Sequence, residues 1–171
     1  MTRSLTLIAL LLSFLIVGTP DNALAKMLSV GDPFPAWELR DHTGHPFASS
    51  ELAGKRYLLW YYPKAMTPGC TKEGRALAAE EKAFAAAGIE ILGVSFDDPI
   101  DNAEFVRSEL FPFRLLSDTE RSLAMAVGAA DTTDAKYARR ISYVVGVDGK
   151  VEKVYDAVNP AKHAKDVLGN Q

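Results

Sequence analysis

Apolar runs of strand length alternate with longer segments of mixed polarity along most of the chain. Two of these runs, Tyr57–Tyr62 and Ile89–Phe96, are rich in aromatic or branched residues and predict buried strands. The segment between them, Thr71–Ala87, consists mostly of strong helix formers such as Ala, Glu and Lys, and Gly88 follows as a helix-ending residue. The pattern therefore predicts a strand, a helix and a second strand in this order.

The same alternation continues toward the C-terminus. A helix is predicted to begin at Asp97-Asp98-Pro99, an apolar segment follows at Phe111–Asp118, and a further helix is predicted over Glu120–Val127. Strands that alternate with helices in this way predict a parallel core whose strands are joined by crossover helices.

Two hairpins are predicted at the ends of this core. Near the C-terminus, Asp148-Gly149 separates strand-like runs at Ser142–Val147 and Val151–Tyr155, which is the strongest short hairpin signal. Asn159-Pro160 then starts a terminal helix, and residues 37–47 form a hairpin near the N-terminus. We expect an α/β protein of the thioredoxin-like type, with a central mixed sheet flanked by helices and an additional N-terminal hairpin.

The first 25 residues have the pattern of a secretory signal peptide. Arg3 gives a positive start, Leu5–Val17 is an apolar run that is short for a membrane span, and Ala23-Leu24-Ala25 has the small residues of a cleavage site. The alternative is an uncleaved N-terminal anchor. We expect cleavage after Ala25, one domain over residues 26–171, no membrane contact after cleavage, and a periplasmic or secreted location.

Charge and composition argue against several classes of partner. The chain contains 19 Lys and Arg against 22 Asp and Glu, for a net charge of −3, and has no polybasic run. This balance argues against nucleic acid or an anionic membrane as the main partner. His42 and His45 could suggest a metal site, but no third ligand is near them in the sequence, so we interpret both as solvated turn residues and expect no metal.

Cys70 is the one cysteine of the chain, so it cannot form an intramolecular disulfide. Pro63 ends the preceding strand, Pro68-Gly69 is predicted to make a turn, and Cys70 then lies where a helix starts. Free backbone N–H groups and the helix dipole favour an anion at such a place. A thiol there tends toward the thiolate, its nucleophilic form, so we interpret Cys70 as reactive rather than as an inert buried residue.

The residues around Cys70 resemble the active-site motif of a known family. Pro63, Thr67 and Cys70 fit the Pro-x-x-x-Thr-x-x-Cys signature of peroxiredoxins, and the longer string Tyr62–Glu73 is similar to the bacterioferritin comigratory protein (PrxQ) branch. The resemblance extends over Leu28–Tyr155. It implies a peroxiredoxin fold, a thiol-dependent peroxidase that reduces hydrogen peroxide and organic hydroperoxides in antioxidant defence and redox homeostasis, and no cofactor.

The resemblance also assigns roles to residues outside the motif. In the family an arginine lies beside the cysteine sulfur, and Arg140 matches its position, eight residues before Asp148. Side chains alternate along a strand, so if a strand has begun there, the adjacent Arg139 points away from the sulfur and Arg140 toward it. We therefore favour Arg140, and the alternative is that Arg140 is a solvent-facing charge on an edge strand. Glu73 matches the family glutamate that helps to orient this arginine, and a helix-dipole partner in the first turn is the alternative for Glu73.

The implied reaction starts with attack of the Cys70 thiolate on one peroxide oxygen. We expect Arg140, the Thr67 hydroxyl and the backbone N–H groups at the helix start, where Gly69 lies, to stabilise the charge on the leaving oxygen. Pro63 is expected to shield the sulfur from water. The products are water or an alcohol, and Cys70 sulfenic acid.

The chain departs from the branch at the recycling step. Many relatives have a resolving cysteine five residues after the reactive one, where this chain has Arg75. An external thiol must therefore reduce the sulfenic acid, and a thioredoxin-like protein, glutathione and a glutaredoxin-like protein are the candidates. Relatives often have acidic residues at the positions of Ala65 and Met66. The rim of this site is therefore less acidic and more apolar than theirs. Because the branch includes many monomers, a monomer is expected.

Other functions receive less support from the sequence. A disulfide reductase would need Cys-x-x-Cys, but Glu73 occupies the second cysteine position, and the Gln and Trp motifs of glutathione peroxidases are not evident. The absent resolving cysteine leaves a thioredoxin-like binding or chaperone module without turnover as the alternative. The joint presence of Thr67, Cys70 and Arg140 favours the enzyme.

Overall fold

Seven strands and five α-helices follow one another in the computed structural model, which describes residues 26–169. The strands are β1 (Glu38–Asp41), β2 (Pro46–Ala48), β3 (Arg56–Tyr61), β4 (Ile89–Ser95), β5 (Arg114–Ser117), β6 (Ser142–Val145) and β7 (Val151–Tyr155). The helices are α1 (Pro68–Ala79), α2 (Glu81–Ala86), α3 (Pro99–Glu109), α4 (Ser122–Val127) and α5 (His163–Leu168), and a short 3-10 helix covers Ser49–Leu52.

The N-terminal prediction concerns a part of the chain that the structure does not describe. The expected signal peptide, residues 1–25, lies outside the described residues, so its cleavage stays a prediction. None of the helices within residues 26–169 combines the length and the apolar character that a membrane crossing requires.

All seven strands belong to one mixed sheet, in the order β2-β1-β5-β4-β3-β6-β7. The central strands β3, β4 and β5 are parallel, while β6 pairs antiparallel with β3 and β1 pairs antiparallel with β5. The hairpins β1–β2 and β6–β7 form the two ends of the sheet. The predicted central mixed sheet with a parallel core, crossover helices and an N-terminal hairpin is confirmed.

Strand β3 is buried on both faces because it lies near the middle of the sheet. Leu59 and Tyr61 point to one face, where they join the apolar cluster that includes α4. Leu58 and Trp60 point to the other face, where the cluster contains side chains of α1, α2, α3 and α5. Cys70 belongs to this second cluster, so the helix that carries the thiol is packed directly onto the sheet.

The predicted extents of two helices are wrong. The helix predicted over Thr71–Ala87 begins at Pro68 and is interrupted at Glu80, whose φ of −102° and ψ of 11° are not helical. Pro68-Gly69 is therefore the start of α1 and not a separate turn, because proline at the first helical position loses only an N–H that would have no helical acceptor. The terminal helix begins at His163, since Asn159-Pro160 is part of a preceding turn.

Helix α1 approaches Phe111 so closely at Gly74 that no side chain fits there. A Cβ atom on Gly74 would lie 2.4 Å from Phe111 Cζ. The Phe111 ring is itself held between Phe113, stacked at 5.1 Å, and Phe105, edge-on at 4.9 Å. The contact therefore fixes the distance between α1 and the aromatic layer beneath it.

We expect Gly74→Ala to destabilise the protein although alanine is the better helix former. Alanine gains about 1 kcal/mol of helix propensity. Overpacking against a ring that cannot move aside costs about 3 kcal/mol. This cost exceeds the gain in helix propensity, so the net change in stability is unfavourable. Urea denaturation should show a free energy of unfolding lowered by about 2 kcal/mol. An unchanged or raised free energy of unfolding would mean that Phe111 moves aside.

Candidate active site

Cys70 lies in the first turn of α1, as the third residue of the helix. Thr67 is the N-cap residue, and the first backbone hydrogen bond of the helix runs from the Thr71 N–H to the Thr67 carbonyl at 2.9 Å. The first N–H groups of a helix have no acceptor within it, so those of Gly69 and Cys70 are available for a negatively charged group. The prediction that Cys70 lies at a helix start is confirmed.

The Cys70 sulfur is buried and is contacted by Arg140. The Cys70 side chain has no exposed surface, and Arg140 donates from Nη2 to Sγ at 3.4 Å. Burial by itself would lower the pKa of Arg140, but the Glu73 carboxylate and the Cys70 sulfur raise it above its usual value. The guanidinium is therefore a permanent positive charge beside the sulfur.

Glu73 holds this guanidinium from the other side. The Glu73 side chain is fully buried, and its Oε2 accepts a charge-assisted hydrogen bond from Arg140 Nη1. One end of the arginine fork is thus occupied by the carboxylate while the other faces the sulfur. Of the two sequence-based interpretations of Glu73, the geometry favours the one that orients the arginine. Gly69 leaves room for it, since a Cβ there would lie 3.1 Å from Arg140 Nη2.

The structure places Arg140, and not Arg139, beside the sulfur. Arg139 is about half exposed and pairs with Asp131. The alternation of side chains along a strand is not the cause, because β6 begins only at Ser142. A hydrogen bond from the Ile141 N–H to the Arg139 carbonyl, 3.1 Å long, closes a tight turn around Arg140 instead.

The Thr67 hydroxyl uses its hydrogen within the active-site loop. Thr67 Oγ1 donates to the Lys64 carbonyl at 2.8 Å. A hydroxyl has one hydrogen to donate and two lone pairs that accept. The expectation that Thr67 donates to the leaving oxygen is therefore incompatible with this hydrogen bond, and the hydroxyl is left to act as an acceptor.

Asp97, which follows β4, holds the loop between β3 and α1 in place. Asp97 accepts hydrogen bonds from the Lys64 ammonium at 2.7 Å and from the Ala65 backbone N–H at 2.8 Å. The hydrogen bond and charge of Asp97 raise the pKa of Lys64. Met66 is half exposed, with a left-handed φ of 59°. Pro63 starts this loop, and its shielding role stays a prediction.

His163 belongs to this site, although the sequence analysis did not identify it. It is the first residue of α5, it is 1% exposed, and its Nδ1 lies 2.8 Å from Glu73 Oε1. The distance is that of a hydrogen bond, but the approach is too bent for an aligned one, and Nε2 has no partner among residues 26–169. The available sequence signal was its place on the inward face of the terminal helix, beside Ala164 and Val167.

The other two histidines lie in the turn of the N-terminal hairpin. His42 Nδ1 accepts the Leu115 backbone N–H at 3.3 Å, and His45 Nδ1 lies 2.8 Å from the Thr43 hydroxyl. Among residues 26–169, no three His, Cys, Asp or Glu side chains are grouped so that they could hold a metal ion.

Comparisons with known proteins agree on one family. A sequence model of the AhpC/TSA family matches residues 30–154. Peroxiredoxin Bcp of Escherichia coli K12 is 34% identical over 148 residues, covering 82% of this chain and 94% of the relative.

Solved structures from two other bacteria are similar over most of the chain. The structure of peroxidoxin BcpB from Mycobacterium tuberculosis is 32% identical with a TM-score of 0.78, covering 84% of this chain and 96% of that one. The bacterioferritin comigratory protein of Xanthomonas campestris, which has alkyl peroxide reduction activity, is 29% identical with a TM-score of 0.72, covering 78% and 88%.

Proposed function

The chain belongs to the AhpC/TSA family of peroxiredoxins, and we propose that it is a thiol-dependent peroxidase whose reactive group is Cys70. The predicted family and thioredoxin-like fold are confirmed. One observation carries the proposal for this site. Arg140 Nη2 lies 3.4 Å from the Cys70 sulfur at a helix N-terminus, while the buried Glu73 holds the other end of the same guanidinium.

The geometry supports nucleophilic attack by sulfur on a peroxide. As the S–O bond forms, the O–O bond breaks, the sulfur is oxidised to the sulfenic acid, and the second oxygen leaves as hydroxide or alkoxide. Arg140 and the N–H groups at the start of α1 stabilise that negative charge, and a proton from solvent completes water or an alcohol. Hydrogen peroxide and organic hydroperoxides are the substrate class, which agrees with the alkyl peroxide reduction of the Xanthomonas campestris relative.

Thr67 serves as an acceptor in this mechanism. Because its hydrogen is given to the Lys64 carbonyl, its oxygen accepts a hydrogen bond from the peroxide O–H and turns the O–O bond toward the sulfur. Arg140 and Thr67 thus act on opposite chemical features of the substrate: one on the developing negative charge, the other on the hydroxyl hydrogen.

An external thiol completes the cycle. One thiol condenses with the sulfenic acid to give a mixed disulfide and water, and a second thiol releases Cys70. The position of the resolving cysteine in many relatives is occupied by Arg75, which is exposed and pairs with Glu109. A thioredoxin-like protein, glutathione or a glutaredoxin-like protein is the proposed reductant, and the working unit is a monomer.

The N-terminal sequence supports an exported location, periplasmic or secreted. The segment before Lys26 has the charge, apolar run and small residues of a cleaved signal. Mass spectrometry of the protein produced from its full chain in a bacterial host should find a periplasmic species that begins at Lys26. A cytoplasmic species that retains residues 1–25 would contradict the proposal.

Rapid mixing with hydrogen peroxide tests the peroxidase directly. We expect a fast change in tryptophan fluorescence that consumes one peroxide per protein, because Trp60 is packed in the same apolar cluster as Cys70. Dimedone labelling and intact mass should locate the sulfenic acid at Cys70, and the fast phase should be absent from Cys70→Ser. A rate no higher than that of free cysteine would contradict the proposed function.

A further inference from the structure

We propose that His163 is a positioning residue of the peroxide reaction, which acts through Glu73 on Arg140. This inference rests on the proposed function and extends its site to the C-terminal helix. The contacts form a chain of four side chains: His163 Nδ1 lies against Glu73 Oε1, Glu73 Oε2 binds Arg140 Nη1, and Arg140 Nη2 binds the Cys70 sulfur.

Burial makes the contact between His163 and Glu73 consequential. Both side chains are removed from solvent, with exposed fractions of 1% and 0%. A buried carboxylate oxygen without a donor is costly because water cannot replace the missing hydrogen bond. Oε2 of Glu73 is satisfied by Arg140, and His163 Nδ1 lies 2.8 Å from Oε1. The proposal requires a small rotation about χ2 of His163, a soft torsion, to align the Nδ1–H with Oε1.

The surroundings select one tautomer of the imidazole. A carboxylate is only an acceptor, so the hydrogen must be on Nδ1. Nε2 has no partner within the described residues, and the ring packs edge-on against Tyr155 with centroids 5.5 Å apart. A second hydrogen on Nε2 would be a buried donor without an acceptor, so the neutral Nδ1–H form fits this pocket.

The consequence for the reaction is geometric. The Nδ1–H contact holds Oε1 and thereby sets the rotation of the Glu73 carboxylate about its last torsion. That rotation determines whether Oε2 faces Arg140. The position of Arg140 in turn determines whether its N–H groups point at the sulfur and the leaving oxygen. His163 does not touch the reacting atoms. Its effect on the rate must therefore pass entirely through Glu73.

A matched pair of substitutions separates the effect of the Nδ1–H donor of His163 from the effect of its side-chain shape. Leucine and asparagine have the same branched outline, but only asparagine can place an N–H where Nδ1 lies. We expect His163→Leu to lower the second-order rate constant for Cys70 oxidation by hydrogen peroxide about tenfold, the effect of losing one hydrogen bond. We expect His163→Asn to stay within about threefold of the wild type. Equal rates for the wild type and His163→Leu would overturn the inference, and so would equally slow leucine and asparagine variants.

Non-additivity tests the route through Glu73. If His163 acts only on that carboxylate, His163→Leu in a Glu73→Gln background should change the rate constant by less than about twofold. A merely structural role would slow the double variant by the same factor as the single one, and that result would overturn the inference. A wild type that reacts no faster than free cysteine would overturn the proposed function itself, so the two failures are distinguishable.

The tautomer of His163 can be determined by NMR, independently of any activity measurement. Nitrogen-15 spectra of histidine-labelled protein contain three histidines, and His163→Asn identifies the His163 signals by their loss. We expect a neutral ring with the hydrogen on Nδ1. A ring that carries its hydrogen on Nε2 alone would contradict the contact with Glu73, whatever the variants show.

Discussion

Replacing Arg140 with methionine should slow the oxidation of Cys70 by hydrogen peroxide about 100- to 1,000-fold, the usual cost of removing a donor aimed at developing charge. The substitution removes the hydrogen bond from Nη2 to the sulfur, 3.4 Å long, and the positive charge next to the leaving oxygen. The measurement is the second-order rate constant from rapid mixing, with dimedone labelling to confirm that the product is still Cys70 sulfenic acid.

Stability must be separated from chemistry in this experiment. Without Arg140, the carboxylate of Glu73 is buried and loses its cation, which costs about 3–5 kcal/mol. Arg140→Lys retains a charge for Glu73 but lacks the fork that reaches both the carboxylate and the sulfur. We expect Arg140→Lys to remain folded by circular dichroism and still to react at least tenfold more slowly than the wild type. A fully active lysine variant would show that charge alone suffices.

Arg139 provides the matched control on the adjacent residue. It is about half exposed and pairs with Asp131 away from the sulfur, and exposed pairs contribute about 0–1 kcal/mol to stability. Arg139→Met should therefore keep the peroxide rate constant within about twofold of the wild type. Loss of activity in Arg139→Met comparable to that in Arg140→Met would contradict the assignment of the two arginines.

The site was predictable from the sequence as far as local chain geometry determines it. Thr67 and Cys70 lie within one turn of the same helix start, so spacing alone places them together. The resemblance to the family identifies Arg140 by its position eight residues before Asp148, but a tight turn before β6, and not strand alternation, places it beside the sulfur. The position of Glu73 was evident, whereas its burial depends on what packs against α1 and is not encoded in local spacing.

Tertiary packing explains what the sequence did not reveal. His163 reaches Glu73 only because α5 packs on the same face of the sheet as α1, and a single histidine in a short amphipathic helix gives no local signal of that contact. The sequence also gives no signal of the interruption at Glu80, because the residues on both sides of it are strong helix formers. The helix predicted as one is two, because the backbone of Glu80 leaves the helical conformation, and Phe84 of α2 is buried in the core.

Thr67→Val should slow the oxidation of Cys70 about 10- to 100-fold, because the hydrogen bond that turns the peroxide O–O bond toward the sulfur is lost. Valine has the shape of threonine, so the loop keeps its packing, and Thr67 is partly exposed, so water can replace its hydrogen bond to the Lys64 carbonyl. The change therefore removes one specific feature, the hydroxyl oxygen that accepts the O–H of the peroxide.

Thr67→Ser distinguishes this acceptor from a general effect on the loop. Serine restores the hydroxyl without the methyl group, so we expect its rate constant to lie within about threefold of the wild type. Alkylation of Cys70 by iodoacetamide, which has no O–H to offer, should be affected much less by Thr67→Val than the peroxide reaction is. If valine slowed both reactions equally, Thr67 would act on the sulfur or on the start of α1, and its contact with the substrate would be refuted.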